Sequence, residues 1–290
     1  MFLWFVMSKA VLLVGVDDDP VLVYVSHYLV KFGVPVIWLD QNQMGKNLLC
    51  NQKGWVSAKN EKLIWQVDHT DIVAVYNRIA GLNYKQSTNA QIVAFECLIY
   101  LLNNVYPNVV NKPKSSMTNF AKLSQLLSLK KYDFVIPNSS LRVFLARDFN
   151  SYIYKSASSY RSIVKKYKQN NIVGAEPVLY QQLLAGTNYR VHVFAQNCFA
   201  VKVKAKTIDY RYCQYGQFKV AVLPEFVQKI CRDITRNLGL VFSGVDLIHF
   251  NDKWYLLEVN SAPGFNFFES KVNNNILMLE ISKYFFRLAA

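Results

Sequence analysis

Along the first third of the chain, short apolar runs alternate with segments whose apolar residues recur at helical spacing. Three of the apolar runs have the length of buried strands: Ala10–Val16, Val34–Leu39 and Asp71–Tyr76. Asp19 followed by Pro20 is typical of a helix start, and Gly33 is typical of a helix end. The pattern therefore predicts a helix from about Pro20 to Phe32. Because strands and helices alternate, we expect a largely parallel sheet that is covered on both faces.

A second helical pattern extends from about residue 88 to residue 105, and we interpret it as a packing helix. The segment Asn111-Lys112-Pro113 interrupts this pattern and marks the passage to another part of the chain. A short helix is expected next, from about Ser116 toward Leu129.

Two further strands are predicted near the C-terminus, Val241–Phe250 and Trp254–Val259, with a turn at residues 251–253. Antiparallel pairing of these strands brings Asp246 and Glu258 to the same end of a hairpin. Asn260 lies two residues beyond Glu258, so both side chains project from one face if the strand continues. The pattern therefore predicts that three oxygen-bearing side chains converge.

An all-oxygen site with few carboxylates suits Mg²⁺, which keeps some of its waters and is usually completed by the phosphates of a nucleotide. Asp246, Glu258 and Asn260 are the predicted ligands. The alternative that these residues leave open is a solvated hairpin with ordinary surface acids.

The residues around this hairpin resemble a known family. Gly244–Ile248 together with Leu257–Gly264 is similar to the metal-binding end of the RimK-type ligases of the ATP-grasp superfamily, whose members typically join a carboxylate to an amine by using ATP. Three more segments resemble family segments in the same order: Tyr154–Val164, Tyr180–Phe194 and Ile208–Tyr212. The resemblance covers about half of the chain, from the region of Asn111 to Glu269.

The resemblance implies an α/β fold that becomes α+β in the C-terminal half. It implies the ATP-grasp architecture, with a Rossmann-like domain over residues 1–112, a small central subdomain over residues 113–184 and a C-terminal catalytic subdomain over residues 185–290. The implied cofactors are ATP and Mg²⁺, as two ions, with Mn²⁺ as a substitute.

The resemblance also implies roles for individual residues. Arg190 and Arg211 are the catalytic candidates. Relatives carry an arginine that reaches the phosphates in the segment of Arg211, and Arg190 can offset negative charge on the phosphates or on an acyl-phosphate oxyanion. The implied nucleotide contacts come from the following residues: Lys122, Lys155, Ser158, Arg161, Gln182, Leu183, Leu184 and Asn188. Asp246, Glu258 and Asn260 keep the acid, acid, amide order of the family's metal ligands.

Two departures from the family pattern concern the nucleotide. No glycine lies between Lys155 and Gly174, where many relatives cradle phosphate on backbone amides, so serine hydroxyls and Arg161 are expected to hold it instead. Gln182 replaces an acid that is common in relatives, and Asn188 replaces an aspartate. Both replacements keep a hydrogen-bonding oxygen.

Composition restricts the partners and the compartment. Lys and Arg number 33 against 19 Asp and Glu, and the formal net charge of +14 favours an anionic partner. No recognised nucleic-acid motif is present, so nucleic acid is not the expected substrate. The apolar segment Met1–Met7 lacks a basic region, so neither a signal peptide nor a membrane span is expected. Five widely spaced cysteines without a C-x-x-C pair fit a reducing, cytoplasmic compartment.

The sequence thus predicts an ATP-dependent carboxylate–amine ligase that acts on a small molecule or on a protein or peptide tail. One alternative is a graspetide-type maturase, which forms ester or amide links between side chains of a ribosomal peptide. A second alternative is a regulatory module that binds nucleotide without catalysis, which the departures at Gln182 and Asn188 and the absent glycines favour.

Overall fold

The computed structural model describes residues 9–59, 62–116, 122–132, 134, 139–140, 151–157, 164–167, 178–205, 207 and 216–290. Contacts divide the chain into two compact units, residues 1–114 with 275–290 and residues 115–274. The division into three parts predicted from the sequence, with boundaries after residues 112 and 184, stays a prediction.

The described residues form strands and helices that we number in chain order. The strands are β1 (Ala10–Gly15), β2 (Val36–Asp40), β3 (Leu48–Cys50), β4 (Gly54–Lys59), β5 (Lys62–Asp68), β6 (Ile72–Asn77), β7 (Val109–Val110), β8 (Ser139–Ser140), β9 (Tyr152–Ser156), β10 (Val164–Lys166), β11 (Val178–Gln182), β12 (Thr187–Phe194), β13 (Asn197–Lys204), β14 (Gln217–Ala221), β15 (Phe242–Phe250) and β16 (Lys253–Asn260). The helices are α1 (Pro20–Lys31), α2 (Asn89–Tyr100), α3 (Pro113–Ser116), α4 (Lys122–Leu129), α5 (Glu225–Asn237), α6 (Phe265–Val272) and α7 (Ile276–Ala289). Within the described part of the chain, no helix has the length and apolar character needed to cross a membrane.

A four-stranded parallel sheet in the order β2-β1-β6-β7 forms the centre of the first unit. The predicted helix start is confirmed, since the Asp19 carboxylate caps α1 by accepting hydrogen bonds from the backbone N–H groups of Val21 and Leu22. Helix α7 packs in this unit against β6, where the rings of Tyr76 and Phe285 meet edge to face. The mixed α/β class predicted from the alternation of strands and helices is confirmed.

The first unit also contains a three-stranded antiparallel sheet, β3-β4-β5, that the sequence analysis did not predict. Trp55 on β4 is fully buried, and its indole N–H donates to the hydroxyl of Tyr106 over 2.6 Å. The Nδ1 atom of His69 lies 2.7 Å from the same hydroxyl, and its Nε2 lies 3.1 Å from the carbonyl oxygen of Asn51. Because only a protonated Nε2 can donate to that carbonyl, Nδ1 accepts the hydrogen bond from Tyr106.

Two sheets belong to the second unit. The smaller has the strand order β10-β9-β11-β8, and the larger is a five-stranded antiparallel sheet in the order β14-β13-β12-β15-β16. Apolar side chains that alternate along β12, β15 and β16, such as Val191, Val245 and Val259, form one core with the buried face of α5. The polar residues that alternate with them therefore lie on the opposite face of the larger sheet.

Strands β15 and β16 form the predicted hairpin, with a shorter turn than expected. Phe250 pairs with Lys253, so the turn has only two central residues, Asn251 and Asp252, and both adopt positive φ values of 48° and 56°. Asn and Asp tolerate this left-handed conformation better than other residues that carry a Cβ atom. Continued from this turn, the pairing would place Leu257 opposite Asp246. The register shifts by one residue between Leu247 and Asp246, and this shift makes Glu258 the partner of Asp246.

Candidate active site

Three neighbouring strands bring the charged residues of the larger sheet into one row. Arg190 on β12 is the register partner of Asp246 on β15, which is in turn the partner of Glu258 on β16. The next row on the same face contains Gly244, two residues before Asp246, and Asn260, two residues after Glu258. The structure thus brings together the three predicted metal ligands and one of the two predicted catalytic arginines.

The side-chain amide of Asn260 lies at the centre of the oxygen atoms in this group. Its Nδ2 atom lies 3.2 Å from Oδ2 of Asp246 and 3.3 Å from Oε1 of Glu258. The backbone carbonyl oxygen of Gly244 lies 3.5 Å from the same nitrogen. Oxygen atoms from both strands therefore converge on a single position, which an amide donor fills in this structure.

Two lysines balance the charge of Glu258. Oε2 of Glu258 lies 3.3 Å from Nζ of Lys122, on α4, and 3.6 Å from Nζ of Lys155, on β9. Burial by itself would raise the pKa of Glu258, but the ammonium groups of Lys155 and Lys122 outweigh it and hold the pKa of this carboxyl well below its usual range. Glu258 is therefore ionised and available as an oxygen ligand.

Among the residues that the structure describes, Lys155 is one of the few buried basic side chains, with 5% of its surface exposed. Its Nζ atom lies 3.4 Å from the carbonyl oxygen of Leu257 as well as near Glu258. Burial lowers the pKa of Lys155, and the attraction of Glu258 only partly offsets that effect. An ammonium group that is held in so little water interacts strongly with any anion that reaches it.

Arg190 is held from three sides. Its Nε lies 3.1 Å from Oδ1 of Asp246, and its guanidinium carbon lies 5.2 Å from the ring centre of Phe268, on α6. A Cβ atom added to Gly244 would lie only 2.5 Å from Nη1 of Arg190, so the absence of a side chain at Gly244 makes room for the guanidinium. The arginine therefore has a fixed position beside the predicted metal ligand.

Four of the predicted nucleotide contacts lie at the end of β11 and in the residues that follow it. Gln182 is the last residue of β11, Leu183 and Leu184 follow it, and Asn188 lies on β12 on the same face as Arg190. The backbone N–H of Leu183 donates to the carbonyl oxygen of Ser151 over 2.7 Å, so this N–H is used inside the protein. The role of these four residues in nucleotide binding stays a prediction.

Three residues predicted from the sequence fall outside the described part of the chain: Ser158, Arg161 and Arg211. The predicted phosphate-binding role of the first two and the predicted catalytic role of Arg211 therefore stay predictions.

The donor set fits a hard divalent cation. The carboxylates of Asp246 and Glu258 and the carbonyl side-chain oxygen of Asn260 are the ligand types that Mg²⁺ prefers, and rotation of the Asn260 amide presents that oxygen where Nδ2 now lies. Together with Lys122, Lys155 and Arg190, the two carboxylates give this part of the described site a net charge of +1. A cationic site of this kind suits an anionic magnesium–nucleotide complex.

Two buried polar residues of this region, Gln125 and His192, are not among the site residues predicted from the sequence. Gln125 on α4 hydrogen-bonds through its side-chain amide to the backbone of Val259, between the two ligands on β16. The buried ring of His192 packs against Phe242, Phe265 and Phe268. Burial lowers the pKa of His192 far below its ordinary value, and Arg190 adds to the effect. The imidazole is therefore neutral.

Comparison with known protein families identifies this arrangement. Residues 139–282, which contain the proposed metal ligands, Lys155 and Arg190, match the family model described as the RimK-like ATP-grasp domain. The chain is an ATP-grasp protein. Among curated protein sequences, none matches this ATP-grasp chain.

Solved structures with the same fold extend over almost the whole ATP-grasp chain. The ATP-grasp ligase PsnB, complexed with a phosphomimetic variant of its minimal precursor, Mg and ADP, has a TM-score of 0.76 and 19% identity, over 98% of this chain and 100% of that one. The macrocyclase MdnC from Microcystis aeruginosa, bound with its precursor peptide MdnA, has a TM-score of 0.77 and 14% identity, over 96% and 99% of the two chains.

A third similar structure is D-alanyl-alanine synthetase A from Vibrio cholerae, with a TM-score of 0.64 and 16% identity over 97% of each chain. At these identities the similarity establishes a common fold. The fold predicted from the four sequence segments, ATP-grasp, is confirmed.

Proposed function

We propose that this ATP-grasp protein is an ADP-forming ligase that activates a carboxylate as an acyl phosphate and joins it to an amine. The observation that carries the proposal is the row of Arg190, Asp246 and Glu258 with Asn260 beside it, because it combines magnesium ligands with cations that suit phosphates. Membership of the ATP-grasp superfamily supports ATP as the phosphoryl donor.

The proposed reaction has two steps. An oxygen of the substrate carboxylate attacks the γ-phosphorus of ATP, the bond to the bridging oxygen breaks, and ADP leaves with that electron pair. An amine then attacks the acyl carbon, phosphate leaves, and the amine loses a proton as the amide forms.

The side chains of the site have distinct parts in this scheme. Asp246, Glu258 and Asn260 would hold Mg²⁺, and the bound ion would neutralise charge on the phosphates as the phosphoryl group moves. Lys155, with its buried ammonium group, would bind a phosphate oxygen, and Arg190 would stabilise charge on the transferred group. None of these roles requires a covalent bond to the protein.

A second candidate is a maturase that links side chains of a ribosomal peptide. The specific observation in its favour is that PsnB and MdnC, which share the fold over 96% or more of this chain, were solved with precursor peptides. An amine or a hydroxyl of the same peptide would then be the acceptor, so the product is an amide or an ester.

Incubation with ATP and Mg²⁺, and with pooled amino acids or pooled acidic peptides, tests the ligase proposal. ADP release together with a product lighter than its parts by one water supports it, and loss of water within a single peptide selects the maturase. Tight nucleotide binding without ADP release in any pool would reject both and leave the regulatory module.

A pair of variants tests whether the proposed metal ligand carries the activity. We expect Glu258→Ala to abolish ADP release, because it removes a carboxylate that faces both Asn260 and the lysines. Glu225→Ala is the matched control, since Glu225 begins α5, is paired with Arg232 and is 73% exposed. Substantial turnover by Glu258→Ala with intact ATP binding would reject the metal role.

A further inference from the structure

The side-chain amide of Gln125 forms two hydrogen bonds to one residue of the proposed metal-binding strand. Its Nε2 donates to the carbonyl oxygen of Val259 over 2.7 Å, and its Oε1 accepts from the N–H of Val259 over 2.9 Å. Gln125 is 3% exposed, so both bonds lie out of contact with bulk water. In such surroundings a backbone donor or acceptor that loses its partner is costly.

These bonds lie at a sheet edge. Strand β16 is the last strand of its sheet, with β15 as its one neighbour among the described strands. The backbone groups of Val259 that point away from β15 bond instead to the planar amide of Gln125, which offers one donor and one acceptor as a neighbouring strand would. The side chain therefore continues the hydrogen-bond ladder at this one residue.

The position of Val259 decides the direction of its two neighbours. Val259 is fully buried in the core under α5, while Glu258 and Asn260 project from the other face of β16. A strand residue that is fixed by its side chain on one face and by its backbone at the edge has little freedom to rotate. Both proposed metal ligands are therefore oriented by what holds Val259.

The same helix carries a cation of the site. Lys122 lies one helical turn before Gln125 on α4, and its Nζ lies 3.3 Å from Oε2 of Glu258. Gln125 thus fixes the helix to the strand next to the point where the lysine meets the carboxylate. We propose that Gln125 is a positioning residue that holds Glu258, Asn260 and Lys122 in the arrangement needed for magnesium–nucleotide binding, an inference that rests on the proposed function.

The test compares Gln125→Met, which removes both hydrogen bonds, with Gln228→Met. Gln228 is a matched control in the same unit, because its amide donates to the carbonyl oxygen of Leu223 over 2.8 Å, away from the site. Binding of ATP is titrated at a series of Mg²⁺ concentrations, and ADP release is measured in parallel. For Gln125→Met we expect the Mg²⁺ concentration needed for half-maximal binding to rise by about 10- to 100-fold, as for other residues that support metal ligands.

Gln228→Met is expected to keep the magnesium dependence of the wild-type protein even where its melting temperature falls. The same magnesium dependence in Gln125→Met and the wild-type protein would overturn the inference, whatever the change in melting temperature. If Gln125→Met does not fold, Gln125→Asn takes its place, since it keeps the amide but its side chain is one methylene shorter, which weakens both bonds to Val259. Failure of both variants to fold also overturns the inference, because the two bonds would then serve the fold as a whole.

The two proposals fail in different ways. A wild-type protein that binds no ATP at any Mg²⁺ concentration overturns the proposed function and this inference together. A wild-type protein that binds ATP with Mg²⁺ but releases no ADP overturns only the ligase activity, and the role of Gln125 is then decided by the binding titration.

Discussion

Arg190 and Asp246 are register partners on adjacent strands, and Nε of the arginine lies 3.1 Å from Oδ1 of the carboxylate. Their side chains are only 9% and 11% exposed, so this pair is largely withdrawn from water. In the absence of a divalent cation, the arginine is thus a nearby counter-charge for a carboxylate that we propose as a magnesium ligand.

The pair gives a prediction about stability. We expect Arg190→Met to lower the free energy of unfolding by about 3 kcal/mol or more, because the buried charge of Asp246 loses its partner. The double variant Arg190→Met with Asp246→Asn should lose less, since no uncompensated charge is left. Urea unfolding with and without Mg²⁺ measures both, and added Mg²⁺ should restore part of the loss in the single variant only. An equal loss in single and double variants would contradict the prediction.

Gly244→Ala should disturb the site without a change in any charged residue. The added Cβ would lie 2.5 Å from Nη1 of Arg190 and 2.8 Å from Cβ of Pro263, so the guanidinium must leave its present position beside Asp246. We expect ADP release to fall on the order of 10- to 100-fold, as for misplacement of a catalytic group. Gly81→Ala is the control, since nothing lies within 4 Å of its added Cβ. A rate for Gly244→Ala equal to that of the control would be the contrary result.

His192 gives a prediction about pH. Its pKa is lowered well below 6.5 in the folded protein by burial and by Arg190, so the unfolded chain takes up the proton first as the pH falls. Its contribution to stability is therefore complete above about pH 6.5 and decreases below it, by at most about 1.4 kcal/mol per pH unit. Melting temperatures between pH 7 and pH 5 should fall less steeply for His192→Asn than for the wild-type protein. His27→Asn, which changes an exposed histidine on α1, should keep the wild-type slope.

Tyr106→Phe tests the hydrogen-bond chain of the first unit. The hydroxyl accepts from the buried indole of Trp55 and donates to His69, so its removal leaves the indole N–H without its partner. We expect a loss of about 1–3 kcal/mol in the free energy of unfolding, measured by urea with Trp fluorescence as the probe. Tyr84→Phe changes a tyrosine that is 55% exposed and should have almost no effect. Similar values for the two variants would exclude a stabilising role for the chain.

The features that were predicted correctly from the sequence are those that residues close together in the chain determine. The hairpin that carries Asp246 and Glu258 was predictable because its apolar alternation and its turn residues lie within twenty positions of each other, whereas the register shift beside Asp246 was not. The start of α1 was predictable because Asp19 and Pro20 act on the next few amides. The antiparallel sheet of β3 to β5 was missed because β3 has only three residues and because adjacent apolar residues, at Val56 in β4 and at Ile64 in β5, interrupt the alternation of polar and apolar positions.

The sequence analysis could not predict contacts between residues that are far apart in the chain. Gln125 and Val259 are 134 positions apart, and nothing local distinguishes a glutamine that bonds to a strand edge from one in solvent. One signal was available: Gln125 lies directly before Leu126 on α4, on the side of the helix that is buried. The pairing of Lys122 and Lys155 with one carboxylate oxygen likewise depends on elements that only the folded unit brings together.

The proposed oxygen ligands and the cations of the site come from different parts of the chain. Asp246 and Asn260 belong to one hairpin with a two-residue turn, whereas the lysines and Arg190 come from three other elements. Closing so short a loop costs little entropy. A fragment limited to β15 and β16 contains every proposed oxygen donor and none of the three cations of the site, Lys122, Lys155 and Arg190. The groups that would hold a divalent ion and the groups that would meet a nucleotide are therefore encoded in separate parts of this polypeptide, which the fold of the second unit brings into one place.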